Sequence, residues 1–182
     1  IKEKEYETIY CCAPGATKWM INKAPEKDFQ NIESLSHIIE KTNCKRFVLF
    51  STIDVMTFKQ KLSYGGNRLF FEKRIQEIYP KVSIIRLPGL FGPGLKKNSI
   101  FDLQKQRHDF INLNSAFQWL HVHRGIEYSL NSSSGLHELY TEPVETLDIV
   151  KKYFPESLEK CKLKNRFEYK IMPQSGYFQT RE

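Results

Sequence analysis

Apolar positions in the first half of the chain follow two periods, one typical of strands and one typical of helices. Continuous apolar runs at residues 8–13, 46–51 and 82–87 predict strands that are buried on both faces of a sheet. Between them, apolar residues three and four positions apart predict amphipathic helices over residues 28–42 and 67–79. Strands that alternate with helices pair in parallel through right-handed crossovers. We therefore expect an α/β fold built on a doubly wound parallel sheet.

The pattern weakens after Gly94. Residues 97–105 predict a short helix, residues 136–140 a fourth strand, and residues 146–153 a helix with an apolar stripe. The segment from Cys161 onward is basic and has no clear period. We therefore expect the clearest sheet in the first part of the chain.

Charge adds one constraint on the ligands. Lys and Arg number 28 against 21 Asp and Glu, which gives a net charge of +7. Such an excess suits anionic ligands, pyrophosphates or nucleic acid among them, although the simpler interpretation is that lysine is the preferred solvent-facing residue. The basic residues are scattered along the chain rather than gathered into a stripe, so we do not expect nucleic acid as a partner.

Cysteine usage and hydropathy indicate the compartment. The four cysteines lack metal-binding spacing, and we interpret them as reduced thiols of a cytoplasmic protein. No apolar run approaches the roughly 20 residues that span a membrane, and no signal peptide is visible. We therefore expect no association with a membrane.

One histidine pair has a spacing that suggests metal binding. His121 and His123 would share a face if they lay on a strand, but no carboxylate or cysteine lies at a supporting distance in the sequence. We interpret the pair as incidental and predict no metal site.

Three stretches, taken in order, carry a family resemblance. Residues 31–55 (NIESLSHIIEKTNCKRFVLFSTIDV) comprise an Asn-headed helix, a basic turn and a buried strand that ends in Ser and Thr. Residues 64–68 (YGGNR) stand in the place of a Tyr-x-x-x-Lys motif and are followed by a helix, and residues 85–94 read IRLPGLFGPG. Over residues 8–94, with a thinner echo at 136–154, the chain resembles the extended short-chain dehydrogenase/reductases. The similar branch is that of sugar-nucleotide epimerases, dehydratases and reductases.

The resemblance implies three catalytic residues. Tyr64 falls where the family has its acid/base tyrosine, Thr52 where it has a Ser or Thr, and Arg68 where it has a lysine. A phenol is a poor base at neutral pH, so a neighbouring cation must stabilise the phenolate while a hydroxyl bonds the substrate oxygen. A cation four residues after a tyrosine lies on the same face of a helix. The alternative is an ordinary amphipathic tyrosine followed by a solvated arginine.

The resemblance also implies NAD or NADP as the cofactor. Tyr64 and Arg68 would contact the dinucleotide, and Asn31 would brace the strand beside it. The remaining residues implied at the cofactor lie at strand ends and are Cys12, Ala13, Pro14, Pro88, Gly89 and Leu90. Pro and Gly serve strand-end turns in any α/β protein, so turn chemistry alone is the alternative for several of these positions.

The same resemblance implies the organisation of the chain. Residues 1–100 would form a Rossmann-like core that lacks its first strands, and residues 101–182 a smaller substrate-side region packed on that core. The implied substrate is a nucleotide-sugar-like small molecule. The implied assembly is a homodimer, to which the helix from Asn67 would contribute.

The sequence departs from the family in three places. Arg68 replaces lysine and, although it keeps the charge, it cannot relay a proton as lysine can. No G-x-x-G-x-x-G turn is present to hold a pyrophosphate. Thr52 and Tyr64 are only 12 positions apart, where the family usually has a longer segment. We therefore expect N-terminal strands and a loop before Tyr64 to be missing from this sequence. If the sequence were complete as given, we would expect no active oxidoreductase.

Two functions from different classes follow. The leading hypothesis is an NAD(P)-dependent epimerase, dehydratase or reductase that acts on a nucleotide sugar by hydride transfer, with Tyr64 as acid/base. The second is a non-catalytic dinucleotide-binding scaffold of the same fold, and one version of it also contacts RNA through its basic surface. Arg68 in the place of lysine motivates this hypothesis.

Overall fold

The computed structural model describes residues 5–15 and 17–179. Its strands are β1 (Glu5–Cys11), β2 (Asn43–Thr52), β3 (Ser83–Leu87), β4 (Gly89–Phe91), β5 (Ser115–His121), β6 (Gly135–Glu138), β7 (Pro143–Glu145) and β8 (Phe167–Glu168). Its helices are α1 (Lys18–Ile21), α2 (Pro25–Glu40), α3 (Tyr64–Ile78), α4 (Ser99–Gln104), α5 (Val122–Asn131) and α6 (Thr146–Tyr153), with 3₁₀ turns at Ile53–Met56 and Pro155–Ser157.

The described residues form two compact units. The first unit comprises the residues up to Arg86 together with Asn131–Glu138, and the second comprises Leu87–Leu130 together with the residues from Leu139 onward. The first sheet has the order β1-β2-β3-β6. Both β1 with β2 and β3 with β6 pair in parallel. The predicted α/β class with a parallel sheet is confirmed.

The core of the first unit lies between its sheet and the helices α2 and α3. Phe47 and Leu49 of β2 contribute to this core, because alternate residues of a strand point to the same face. Each such side chain contributes about 1.5–3 kcal/mol when it is fully buried. The buried members of the cluster are Cys11, Ile32, Ile39, Phe47, Leu49, Phe71, Ile75, Val82 and Ile84.

The second unit is built around β5. This strand pairs in parallel with β4 and β8 and antiparallel with β7. Gln118 fixes the final segment of the chain, because its amide donates to Ile171 O (2.9 Å) and accepts from Ile171 N (2.8 Å). A separate apolar cluster forms from Leu103, Ile111, Leu113 and Val150.

The predicted elements of the first half are present, with shifted bounds. Helix α3 begins at Tyr64, three residues before the predicted start, because Ser63 caps it. The helix predicted over residues 146–153 has those bounds. Strand β5 and helix α5 are absent from the sequence prediction. The packing of a C-terminal region on a core over residues 1–100 stays a prediction.

Among the helices within residues 5–15 and 17–179, none combines the length and the apolar character needed to cross a membrane.

Candidate active site

The site is centred on Tyr64, the first residue of α3. The Ser63 hydroxyl accepts from Gly66 N (3.2 Å), and Asn22 Oδ1 accepts from Tyr64 N (2.8 Å). These two side chains bond backbone donors that have no partner inside the helix, so they fix where the helix begins. The phenol side chain that follows is buried, with 7% of the residue exposed.

Two glycines bring the connection from Thr52 against the start of this helix. A Cβ on Gly65 would lie 2.3 Å from Asp54 O, and a Cβ on Gly66 would lie 2.0 Å from Lys61 O. No other residue type fits at either position without backbone movement. The close approach lets a connection of only 12 positions return from the end of β2 to Tyr64.

Thr52 ends β2 and caps the 3₁₀ turn at Ile53–Met56. Its Oγ1 accepts from Asp54 N (3.2 Å) and donates to Asp54 Oδ2 (3.2 Å). The same hydroxyl hydrogen-bonds the Tyr64 side chain, an interaction that favours the phenolate and lowers the pKa of Tyr64. The structure therefore brings the two predicted hydroxyls together.

Arg68 lies one turn after Tyr64 on the same face of α3. Its guanidinium carbon is 4.7 Å from the centroid of the Tyr64 ring. Nη1 donates to Asp28 Oδ2 (2.9 Å), and Nη2 donates to Asp28 Oδ1 (3.2 Å) and to Gly15 O (2.6 Å). Both charged side chains are buried, so this is a bidentate ion pair away from water. Arg68 is not a solvated helix residue.

The environment keeps the phenol protonated. Burial raises the pKa of Tyr64 above its ordinary value, which is the largest influence. The positive charge of Arg68 opposes that rise, the carboxylate of Asp54 adds to it, and hydrogen bonds with Thr52 and Arg68 oppose it. The pKa remains raised overall, so the phenol of Tyr64 keeps its proton at neutral pH.

A second buried charge network lies one turn further along α3. Glu72 Oε1 accepts from the Ser51 hydroxyl (2.5 Å), and Glu72 Oε2 accepts from Arg86 Nη2 (2.6 Å). Arg86 Nη1 also donates to Glu138 Oε1 (3.3 Å). This network joins α3 to the strands β2, β3 and β6 and holds the strand end that carries Thr52.

The other predicted site residues of the first unit lie around these groups. Cys12 is exposed and Ala13 and Pro14 are half-buried after the end of β1. The bond from Arg68 to Gly15 O ties this loop to the predicted cationic residue. Asn31 is exposed on α2, and the buried polar residue of that helix near Arg68 is Asp28, three positions earlier.

Pro88, Gly89 and Leu90 belong to the second unit. Pro88 is buried, Gly89 opens β4, and a Cβ on Gly89 would lie 2.8 Å from the Trp119 ring. Their predicted place beside a cofactor stays a prediction. Within residues 5–15 and 17–179, no group of three or more His, Cys, Asp or Glu side chains could hold a metal ion.

Sequence reasoning missed the charged partners of the site. These are Lys18, Asp28, Asp54, Glu72, Arg86 and Glu138. One signal was present for Glu72, because it follows Tyr64 and Arg68 at the same four-residue spacing. The others gave no local signal, since a charged residue that is buried and paired looks like any solvated one in the sequence.

Comparison with known proteins gives a fold and no sequence match. No family model matches the chain, and no curated protein matches it. Among solved structures, the UDP-glucose 4-epimerase with UDP-glucose from Thermotoga maritima has a TM-score of 0.65 at 13% identity, over 97% of this chain and 68% of that one. The UDP-glucuronic acid 4-epimerase from Bacillus cereus in complex with NAD has a TM-score of 0.62 at 17% identity, over 89% and 62%.

A third similar structure shows the breadth of this fold. A partial consensus L-threonine 3-dehydrogenase has a TM-score of 0.66 at 14% identity, over 91% of this chain and 66% of that one. At such identities the likeness shows the fold, which is a Rossmann-like α/β fold. This chain spans 62% to 68% of the length of these three structures.

Proposed function

We propose that this chain belongs to an NAD(P)-dependent enzyme that epimerises, dehydrates or reduces a nucleotide sugar. One observation carries the proposal: the buried phenol of Tyr64 interacts with both the Thr52 hydroxyl and the Arg68 guanidinium. The similar solved structures include UDP-sugar epimerases, one of them with NAD, and they support the same class. The net charge of +7 suits a diphosphate ligand.

Each residue of the trio has a distinct role in this proposal. Tyr64 gives a proton to, or takes one from, the sugar oxygen. Thr52 bonds the same oxygen and orients it. Arg68 stabilises the phenolate through its charge, which already lowers the pKa of Tyr64 against the effect of burial.

In this proposal the dinucleotide binds at one edge of the first sheet. Strands β1 and β2 pair in parallel, so their carboxyl ends meet at the edge where such sheets bind ligands. Cys12, Ala13 and Pro14 follow β1 at that edge, and Tyr64 and Arg68 would contact the ribose. When bound, NAD(P) supplies the acceptor or donor of the hydride.

The test is the conversion of nucleotide sugars by Tyr64→Phe. We expect turnover to fall by about 10²-fold or more, because general acid/base catalysis contributes about 10²–10⁴-fold. Tyr10→Phe is the matched control, since Tyr10 is an exposed tyrosine of β1 and its loss leaves the trio intact. Full turnover in Tyr64→Phe would exclude this function.

A non-catalytic dinucleotide-binding scaffold is the second candidate. It is favoured by the bonds of Arg68, because Asp28 and Gly15 O already hold the guanidinium in place. Isothermal titration with NAD and NADP, alongside turnover assays, separates the two candidates. Dinucleotide binding without conversion of any nucleotide sugar supports the scaffold.

We also propose a cytoplasmic homodimer that uses α2 and α3. The four cysteines are free thiols, as the cytoplasm maintains them. Phe29 of α2 and Phe70 of α3 lie with ring centroids 4.7 Å apart, and 37% of Phe70 remains exposed. Light scattering on Phe70→Glu should report a monomer where the parent protein is a dimer.

A further inference from the structure

The Thr52 hydroxyl interacts with both Asp54 and Tyr64. A hydroxyl has one proton to donate and two lone pairs that accept. Its proton goes to Asp54 Oδ2 (3.2 Å), and one lone pair accepts from Asp54 N (3.2 Å). The Tyr64 side chain also interacts with this hydroxyl, an interaction that lowers the pKa of Tyr64. Thr52 therefore connects the phenol directly to the Asp54 carboxylate.

Asp54 continues this connection toward the surface. Its carboxylate pairs with the Lys18 ammonium. The exposed fraction of the side chain is 14% for Asp54 and 47% for Lys18, whereas Tyr64 is buried. The polar groups thus run from the buried phenol through a hydroxyl and a carboxylate to a group in contact with water.

Arg68 offers the phenol no comparable path. A guanidinium stays protonated at every accessible pH, so it stabilises charge but does not exchange a proton with Tyr64. Its two Nη atoms are also bound to Asp28 and to Gly15 O. A phenol that accepts a proton in each catalytic cycle must therefore pass that proton to a group other than Arg68.

We propose that Asp54 takes up and returns the phenolic proton of Tyr64 through Thr52. This proposal rests on the proposed function. During oxidation of the sugar, the Tyr64 phenolate would take the proton of the sugar hydroxyl, and a bound NAD(P)⁺ would accept the hydride from the same carbon. The new phenol then gives its proton to Thr52 Oγ1, and the proton already on Thr52 moves to the Asp54 carboxylate and on to water. One proton enters and one leaves, and reduction runs the same steps in reverse.

Asp54 acts through Thr52, so it is a positioning residue rather than a catalytic one. The charged groups around Tyr64 are Arg68 on its own helix, Asp54 on the 3₁₀ turn, and Asp28 on α2, with Lys18 of α1 behind Asp54. The Asp54 charge raises the pKa of Tyr64, so its removal makes the phenol easier to ionise. A purely electrostatic role therefore predicts faster turnover at neutral pH without Asp54, and a relay predicts slower turnover.

Asp54→Asn distinguishes these outcomes. We expect turnover of the nucleotide sugar to fall by about 10²-fold, although Tyr64 ionises at lower pH in a difference ultraviolet titration. Added formate should restore turnover in Asp54→Ala, because a small acid can replace a missing proton carrier but cannot repair a fold. Asp109→Asn, an exposed carboxylate of the second unit, is the matched control. Unchanged or faster turnover in Asp54→Asn overturns the proposal.

A second measurement needs no substrate and separates this proposal from the proposed function. Exchange of the Tyr64 hydroxyl proton with water, followed by NMR on labelled tyrosine, should slow by about 10-fold or more in Asp54→Asn and in Thr52→Val. Slowed exchange in the variants, together with no turnover by the parent protein, would exclude the proposed enzymatic function and support the proton path through Thr52 and Asp54. Exchange at the parent rate in both variants would remove the relay.

Discussion

Arg68 and Arg86 are both buried, and each forms an ion pair that involves helix α3. The two arginines differ in the groups that surround them. Arg68 pairs with one carboxylate, Asp28, and lies over the Tyr64 ring. Arg86 lies between two carboxylates, Glu72 and Glu138, and is not among the groups that shift the pKa of Tyr64. The charge of Arg68 lowers the pKa of Tyr64, whereas Arg86 links helix α3 to the strands β3 and β6. Burial and pairing therefore do not distinguish the two arginines, whereas the group beside each one does.

The largest expected effect comes from Arg86→Met. This change leaves Glu72 and Glu138 buried without their cation, and breaking a buried pair costs about 3–5 kcal/mol. The loss is measured by chemical denaturation. The ionisation of Tyr64 in the folded variant should match that of the parent protein. A loss below about 1 kcal/mol would show that the network contributes little to stability.

Arg68→Met should cost less stability and change Tyr64 instead. About 3 kcal/mol is expected from the unpaired Asp28 carboxylate. The pKa of Tyr64 should rise further, because the Arg68 charge and hydrogen bond now lower it. A difference ultraviolet titration against a variant that also lacks Tyr64 measures this rise. Arg68→Lys is the control that keeps the charge, and its Tyr64 should stay close to the parent. An unchanged Tyr64 titration in Arg68→Met would remove the distinction between the two arginines.

Gly65→Ala tests whether the trio needs the close connection from Thr52. The new Cβ would lie 2.3 Å from Asp54 O, so the backbone must move, at a cost of about 1–3 kcal/mol. Gly125→Ala is the matched helical control, because the nearest atom there would be 3.5 Å away. Thermal unfolding should separate the two variants clearly. Equal stability would mean that the connection adjusts without loss.

The smallest expected effect is a change in the pH dependence of stability, and it is confined to alkaline pH. The pKa of Tyr64 is raised by burial, and burial raises the pKa of Tyr79 to about 12. Both phenols keep their proton in the folded chain where the unfolded chain loses it, near pH 10. The stability that they contribute is complete below about pH 10 and is lost as the pH rises through the folded values. Denaturation midpoints of Tyr64→Phe and Tyr79→Phe should each depend less steeply on pH above 10 than the parent midpoint.

The sequence predicted the strands and helices of the first half because their apolar periods are strong. It placed the start of α3 too late, since Gly65 and Gly66 look like loop residues and the capping role of Ser63 went unrecognised. It missed β5, whose apolar and polar residues do not alternate regularly. The second part of the chain was therefore the less predictable one.

Only the part of the candidate site that lies on a single helix could be predicted from the sequence. The spacing of Tyr64 and Arg68 placed them on one face, and the structure has them so. The partner Asp28 is 40 positions from Arg68, and helical periodicity does not say whether Asp28 or Asn31 faces inward. Long-range pairing of buried charges depends on how α2 and α3 pack, which no local pattern encodes. The chemical roles of these residues stay predictions.

The place of β6 in the first sheet has a consequence for synthesis on the ribosome. Strand β3 ends at Leu87, but its neighbour β6 begins at Gly135 and is made only after the whole intervening segment. Until then Arg86 lacks Glu138, and the side of β3 that β6 later covers has unpaired backbone groups. A nascent chain that stalls before residue 135 would expose an unpaired edge of β3 to chaperones. We therefore expect the first unit to complete its sheet late, although most of its residues are translated early.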